Sequence, residues 1–109
     1  MIRFKGNLYL GQGAAKEKGR IIRDIRRHKL QLGVYVISLC VNGRDIFDII
    51  PTYMLGKDDY KGRDLTVLAL AKGKEEAAEV AAAMLEDACA AAVSGSTDIS
   101  SEQLRRYFE

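Results

Sequence analysis

The chain has 109 residues, 29% of them charged and 48% hydrophobic, with one proline, two cysteines and one histidine. That length suits one domain spanning 1–109, able to bury roughly two thirds of its unfolded surface without disulfide staples. No apolar run reaches the roughly 20 residues of a membrane helix, and the start MIRFKGNLYLGQG lacks the apolar core of a secretory leader, so a cytoplasmic protein is expected.

The net charge of +2 conceals a division. Residues 1–32 carry nine Lys or Arg against two acids, or +7, and residues 33–109 carry eight against thirteen, or −5. Such asymmetry marks a contact for nucleic acid or a self-association surface.

In chain order, Ile2, Phe4, Leu8, Tyr9 and Leu10 predict a strand bulged at Gly6, and Gly11, Gln12 and Gly13 predict a turn. Residues 14–31 predict a helix. At about 100° per residue, Ala14, Lys18, Ile21, Ile25, His28 and Leu32 share one side, and Gly33 supplies a terminating glycine. Lys16, Arg20, Arg23 and Arg27 form a basic stripe opposite, flanked by Arg26 and Lys29 and partly offset by Glu17 and Asp24.

The β-branched run Val34–Val41 predicts a second strand, and Asn42-Gly43 predicts a type I′ hairpin turn into a return strand at 44–50 that Pro51 ends. One helical turn at 52–55 and a polar loop at 56–62 lead to a strand at 64–71. A helix over about 74–93 turns Ala77, Ala81, Met84, Leu85, Ala88 and Ala92 inward and Glu75, Glu76, Glu79, Glu86 and Asp87 outward. After a linker at 94–98, Ser100 with Gln103 has capping-box spacing and Ile99 with Leu104 staple spacing, predicting a last short helix to Phe108. The order β-α-β-β-β-α-α predicts an α+β fold: two layers, a mainly antiparallel sheet of about four strands, helices on one face, and one parallel pair from the first strand–helix–strand unit.

Chemistry finds little footing. One histidine and no paired cysteines exclude an ordinary zinc site, and Asp58 and Asp59 read as a solvated loop, so no metal and no cofactor is expected. Cys40 and Cys89 read as reduced and buried; a nucleophilic Cys40 would need contact with His28, which reads as structural. Lys72, Gly73 and Lys74, at a strand–helix turn, could hold a phosphate, but Glu75 and Glu76 occupy the helix start and repel anions. The nucleic-acid candidates are Lys16, Arg20, Arg23, Arg26 and Arg27, a phosphate-tracking face without stacking aromatics. Arg105, Tyr107 and Phe108 are the interface candidates, on a helix whose aromatics also suit the chain's own core. The leading expectation is a non-catalytic binding domain that self-associates or takes a protein partner. Nucleic-acid binding through the helix at 14–31 is the first alternative; small-ligand or phosphate binding at the 56–64 loop or the 71–76 turn is the second. No membrane association is expected.

Overall fold

Every residue of the VYVISL run except Tyr35 is buried, as a strand covered on both faces requires. The computed structural model describes residues 2–39, 46–56, 64–92 and 101–108. Its strands are β1 (Ile2–Leu10), β2 (Val34–Leu39), β3 (Phe47–Pro51) and β4 (Leu65–Lys72). Its helices are α1 (Gln12–Ala15), α2 (Lys18–Arg26), α3 (Lys74–Ala92) and α4 (Ser101–Phe108), with a 3-10 turn at Thr52–Met54. The Asn42-Gly43 turn, Cys40, Asp58, Asp59, Ile99 and Ser100 lie outside the described residues, as does the Gln103 side chain. Among the described residues, no helix is long and apolar enough to cross a membrane.

The fold is α+β with a mixed four-stranded sheet in the order β1-β4-β2-β3. β2 pairs antiparallel with β3 and with β4, as a mainly antiparallel sheet requires, and β1 pairs parallel with β4. The expected parallel pair therefore forms, but with a different strand: β4 inserts where β2 was expected. It also separates β1 from β2, while β2 separates β3 from β4. The reason is burial. β4 is buried at six of its eight positions, apolar toward both faces, and such a strand belongs inside a sheet. β1 and β3, with Arg3, Lys5, Asn7 and Asp48, suit the edges.

Two-sided burial also places helices on both faces, correcting the expectation of one. Alternate residues of β2 divide the core. Ile37 and Leu39 join Met84, Ala88 and Phe108 under α3 and α4, whereas Val34 and Val36 join Ile21, Ile25 and Leu70 under α2. Val80, not foreseen on the inner side of α3, is buried there too, whereas Cys89 is only half-buried.

The helix expected over 14–31 starts earlier, breaks and stops sooner. Gly11 is the N-cap of α1, so the 11–13 segment opens a helix instead of merely turning. The chain then turns at Lys16 and Glu17 before α2. Beyond Arg26, the Lys29 N–H reaches the Asp24 carbonyl at 2.9 Å and the His28 N–H reaches the Ile25 carbonyl at 3.1 Å. His28 sits between them at φ 56°. This is the Schellman arrangement, with histidine in the left-handed position that glycine usually takes. Gly33, at φ 76°, instead lies in the bend just before β2, where its carbonyl accepts the Gly73 N–H at 2.7 Å.

Candidate functional site

The 71–76 turn meets the start of α1 through Glu76. Its carboxylate accepts the N–H groups of Lys72 at 2.6 Å, Gly13 at 2.7 Å and Ala14 at 3.3 Å. Two glycines make room for it. A Cβ on Gly11 would lie 2.3 Å from the Glu76 side chain, and one on Gly13 would lie 3.1 Å from its Oε1. Burial pushes the Glu76 carboxyl up, but the N–H donors of Lys72, Gly13 and Ala14 outweigh it and hold the group below the usual carboxylate range. The acid expected to point into solvent is thus a half-buried clamp across 62 residues of chain.

The Lys72 ammonium bonds Glu17, which also accepts from Arg20 at 2.7 Å. Lys72 first and Arg20 second hold the Glu17 carboxyl below its ordinary value. The phosphate candidates are consequently engaged: Lys72 gives its N–H to Glu76 and its ammonium to Glu17, and Gly73, at φ 88°, gives its N–H to Gly33. Lys74 is exposed at the start of α3. The anion position at this turn is filled by the chain's own carboxylate.

The basic stripe is present but interrupted. Arg20 lies 2.7 Å from Glu17 and 3.4 Å from Asp24, and Arg23 lies 3.9 Å from the other oxygen of Asp24. Asp24 is buried, so it offsets charge more effectively than an exposed acid would. Arg26, at the flank of the stripe, sits 5.4 Å over the Phe4 ring, a cation–π contact with β1. Lys16 stands in the break before α2 and Arg27 caps its end, both exposed. The structure therefore brings Arg20 and Arg23 together on α2 and sets Lys16 and Arg27 beyond its two ends. His28 is exposed, and among the described residues no cluster of three metal-ligating side chains occurs.

Of the interface candidates, Phe108 is a core residue. It meets Phe47, Tyr9 and Tyr107 edge-on at centroid distances of 5.0, 6.3 and 4.9 Å. Arg105 is half-buried and Tyr107 is 46% exposed. Tyr9 donates to Asp87 of α3 at 2.9 Å. Burial, then its bonds to Asp87 and Tyr107, push the Tyr9 phenol well above the ordinary range.

A feature foreseen only as a bulge at Gly6 is larger. β1 pairs with β4 from Ile2 to Phe4 and resumes at Tyr9, so Lys5, Gly6, Asn7 and Leu8 arch over the single residue Leu68. Under the arch lies a cavity of about 710 Å³ walled by Lys5, Leu8, Tyr9, Leu68, Tyr107 and Phe108.

A scan of protein-family models finds no match to this chain, and searches of curated proteins and of solved structures find none.

Proposed function

We propose that this chain is a binding domain whose working surface is the cationic layer of α1 and α2, and whose ligand is an acidic protein surface, that of α3 on a second copy. One observation carries the reading: the two charge populations lie on opposite faces of one sheet. Lys16, Lys18, Arg20, Arg23, Arg26, Arg27 and Lys29 stand against two acids on the α1–α2 side. Glu75, Glu79, Glu86 and Asp87 are exposed on α3, across the sheet. Within one chain, Glu76 is the α3 acid that reaches the α1–α2 layer, and Glu75, Glu79, Glu86 and Asp87 are left exposed. Between chains the two surfaces complement each other head to tail, a heterologous contact that propagates instead of closing on a two-fold axis. Sedimentation velocity over a concentration series tests this. Association beyond a dimer that weakens with salt is expected, since charges are screened beyond about 10 Å at 0.1 M ionic strength. A monomer-sized species throughout the micromolar range overturns it.

A second reading has its own support. Lys16, Lys18, Arg27 and Lys29 are exposed and have no acidic partner among the described residues. Such cations suit phosphate contacts of any sequence. Titration with random duplex and single-stranded oligonucleotides decides between the readings. Binding tighter than about 10⁻⁴ M with a steep salt dependence favours nucleic acid.

A further inference from the structure

We infer that the 29–33 segment and Tyr53 form the apolar anchor of the contact between copies, with Leu30 and Leu32 seated on the exposed side of α3 in a second copy. This deepens the self-association reading and rests on it. The starting point is an inverted burial pattern. Among the described residues, Leu30 and Leu32 are the most exposed large hydrophobic side chains, at 73% and 79%, whereas Gln31 between them is buried. A lone exposed leucine carries little meaning, but a buried polar residue is informative. Gln31 is held from two sides. Its side-chain amide donates to the Ile21 carbonyl at 3.3 Å, and its backbone carbonyl accepts the Thr52 hydroxyl at 3.2 Å. These bonds fix the segment with both leucines outward, so the surface is formed before a partner arrives.

Tyr53, 48% exposed, extends that surface. A cavity of about 140 Å³ lies between Ile25, Leu30, Tyr53 and Leu55. It is smaller than the roughly 300–1,000 Å³ of small-molecule sites and has room for single side chains of a protein partner. His28 and Lys29 stand at its rim. Apolar groups exposed together and rimmed by polar residues mark interaction surfaces.

Charge selects the occupant. Arg27 and Lys29 are exposed and have no acidic partner among the described residues. The exposed side of α3 carries Glu75, Glu79 and Glu86, with Ala78 and Ala82 also exposed beside them. Alanine lacks the bulk to hold a neighbour off, so the leucines reach the helix while Arg27 and Lys29 meet the glutamates. The contact is then apolar at its centre and charged at its rim.

The test compares the parent, Leu30→Ser/Leu32→Ser and Arg27→Gln/Lys29→Gln by sedimentation velocity at low and high salt. The serine pair should weaken association by about tenfold at both salt concentrations, and the glutamine pair chiefly at low salt. Circular dichroism should be unchanged for both, because the positions are exposed. Association of the serine pair equal to that of the parent overturns the anchor and leaves the charge reading standing, whereas a monomeric parent overturns both. A photo-crosslinking benzoylphenylalanine in place of Leu32, in a mixture of isotopically light and heavy chains, locates the contact even should the serine pair misfold. Light-to-heavy cross-links within α3 around Ala78 and Ala82 are expected, and cross-links to any other element overturn the anchor. Parent binding to phosphatidylserine vesicles that the serine pair abolishes, with self-association untouched, assigns the leucines to a lipid surface and also overturns it.

Discussion

α3 reaches the sheet through Ala77, Val80, Met84 and Ala88, all buried, and α4 adds Phe108. α1 reaches the other face through Ala14 and a carboxylate supplied by α3. One layer is held by apolar area and ring contacts. The other is built from helices of four and nine residues, too short to persist alone, and is pinned by charge-assisted hydrogen bonds besides Ile21 and Ile25. Apolar burial is indifferent to protons, whereas a carboxylate clamp is not. The two faces should therefore fail under different insults.

The largest effect is expected from the apolar layer. Phe108→Ala removes the ring that joins Phe47, Tyr9 and Tyr107 and should cost about 3–5 kcal/mol in urea unfolding. Its acid sensitivity should match that of the parent. A loss under about 1 kcal/mol would place the ring outside the core.

Next is the clamp. Glu76→Ala leaves three N–H groups without their acceptor and should cost about 2–4 kcal/mol. Gly11→Ala forces a Cβ onto Glu76 and should destabilise the parent by about 1–3 kcal/mol. In the Glu76→Ala background the same change should cost almost nothing, and additivity of the two would sever the proposed contact.

The pH dependence separates the layers more finely. Glu17 and Glu76 both titrate below the ordinary carboxylate range when folded. As pH falls, the unfolded chain takes up protons first. The clamp contribution is complete above the unfolded glutamate value of about 4.3 and disappears as pH drops through the depressed folded values. Thermal melts across this range should show a shallower acid slope for Glu76→Gln than for the parent.

The smallest effect is at the end of α2. His28→Gly should stabilise by about 0.5 kcal/mol, because relief of a left-handed cost of roughly 1–2 kcal/mol is partly offset by the entropy glycine adds to the unfolded chain. Gly33→Ala, at φ 76°, should destabilise by about 1 kcal/mol. Matching melting temperatures for His28→Gly and the parent would remove the strain assigned to that position.

These positions also show what a linear reading can reach. The runs 34–39, 65–72 and 74–92 are legible because β-branched density and helical spacing are local properties. The order of strands is not local. The pairing of Ile2 with Leu65 leaves no mark near either residue. The end of α2 is not legible because His28 does glycine's work while Gly33 offers a plausible stop five residues later. Glu76 has the composition of an ordinary helix start, and its partners at Gly13 and Ala14 appear only in three dimensions. The small residues Gly11 and Gly13 were its one signal, legible as a turn but not as a recess. The arch was half legible: Gly6 and Asn7 broke the alternation, but the cavity depends on Leu68 and on Tyr107 and Phe108 from the far end of the chain.

The place of β4 at the centre of the sheet bears on how the chain is made. β1 is synthesised first, yet its sheet partner begins at Leu65. A ribosome that has released only the first 64 residues has produced β1, β2 and β3, of which just β2 and β3 can pair. The nascent segment holds an unpartnered strand and the clamped glycines without their glutamate until residue 76 emerges. Assembly of the sheet therefore waits for β4, and the interval before it is when the apolar β2–β3 pair stands most exposed to stray pairing.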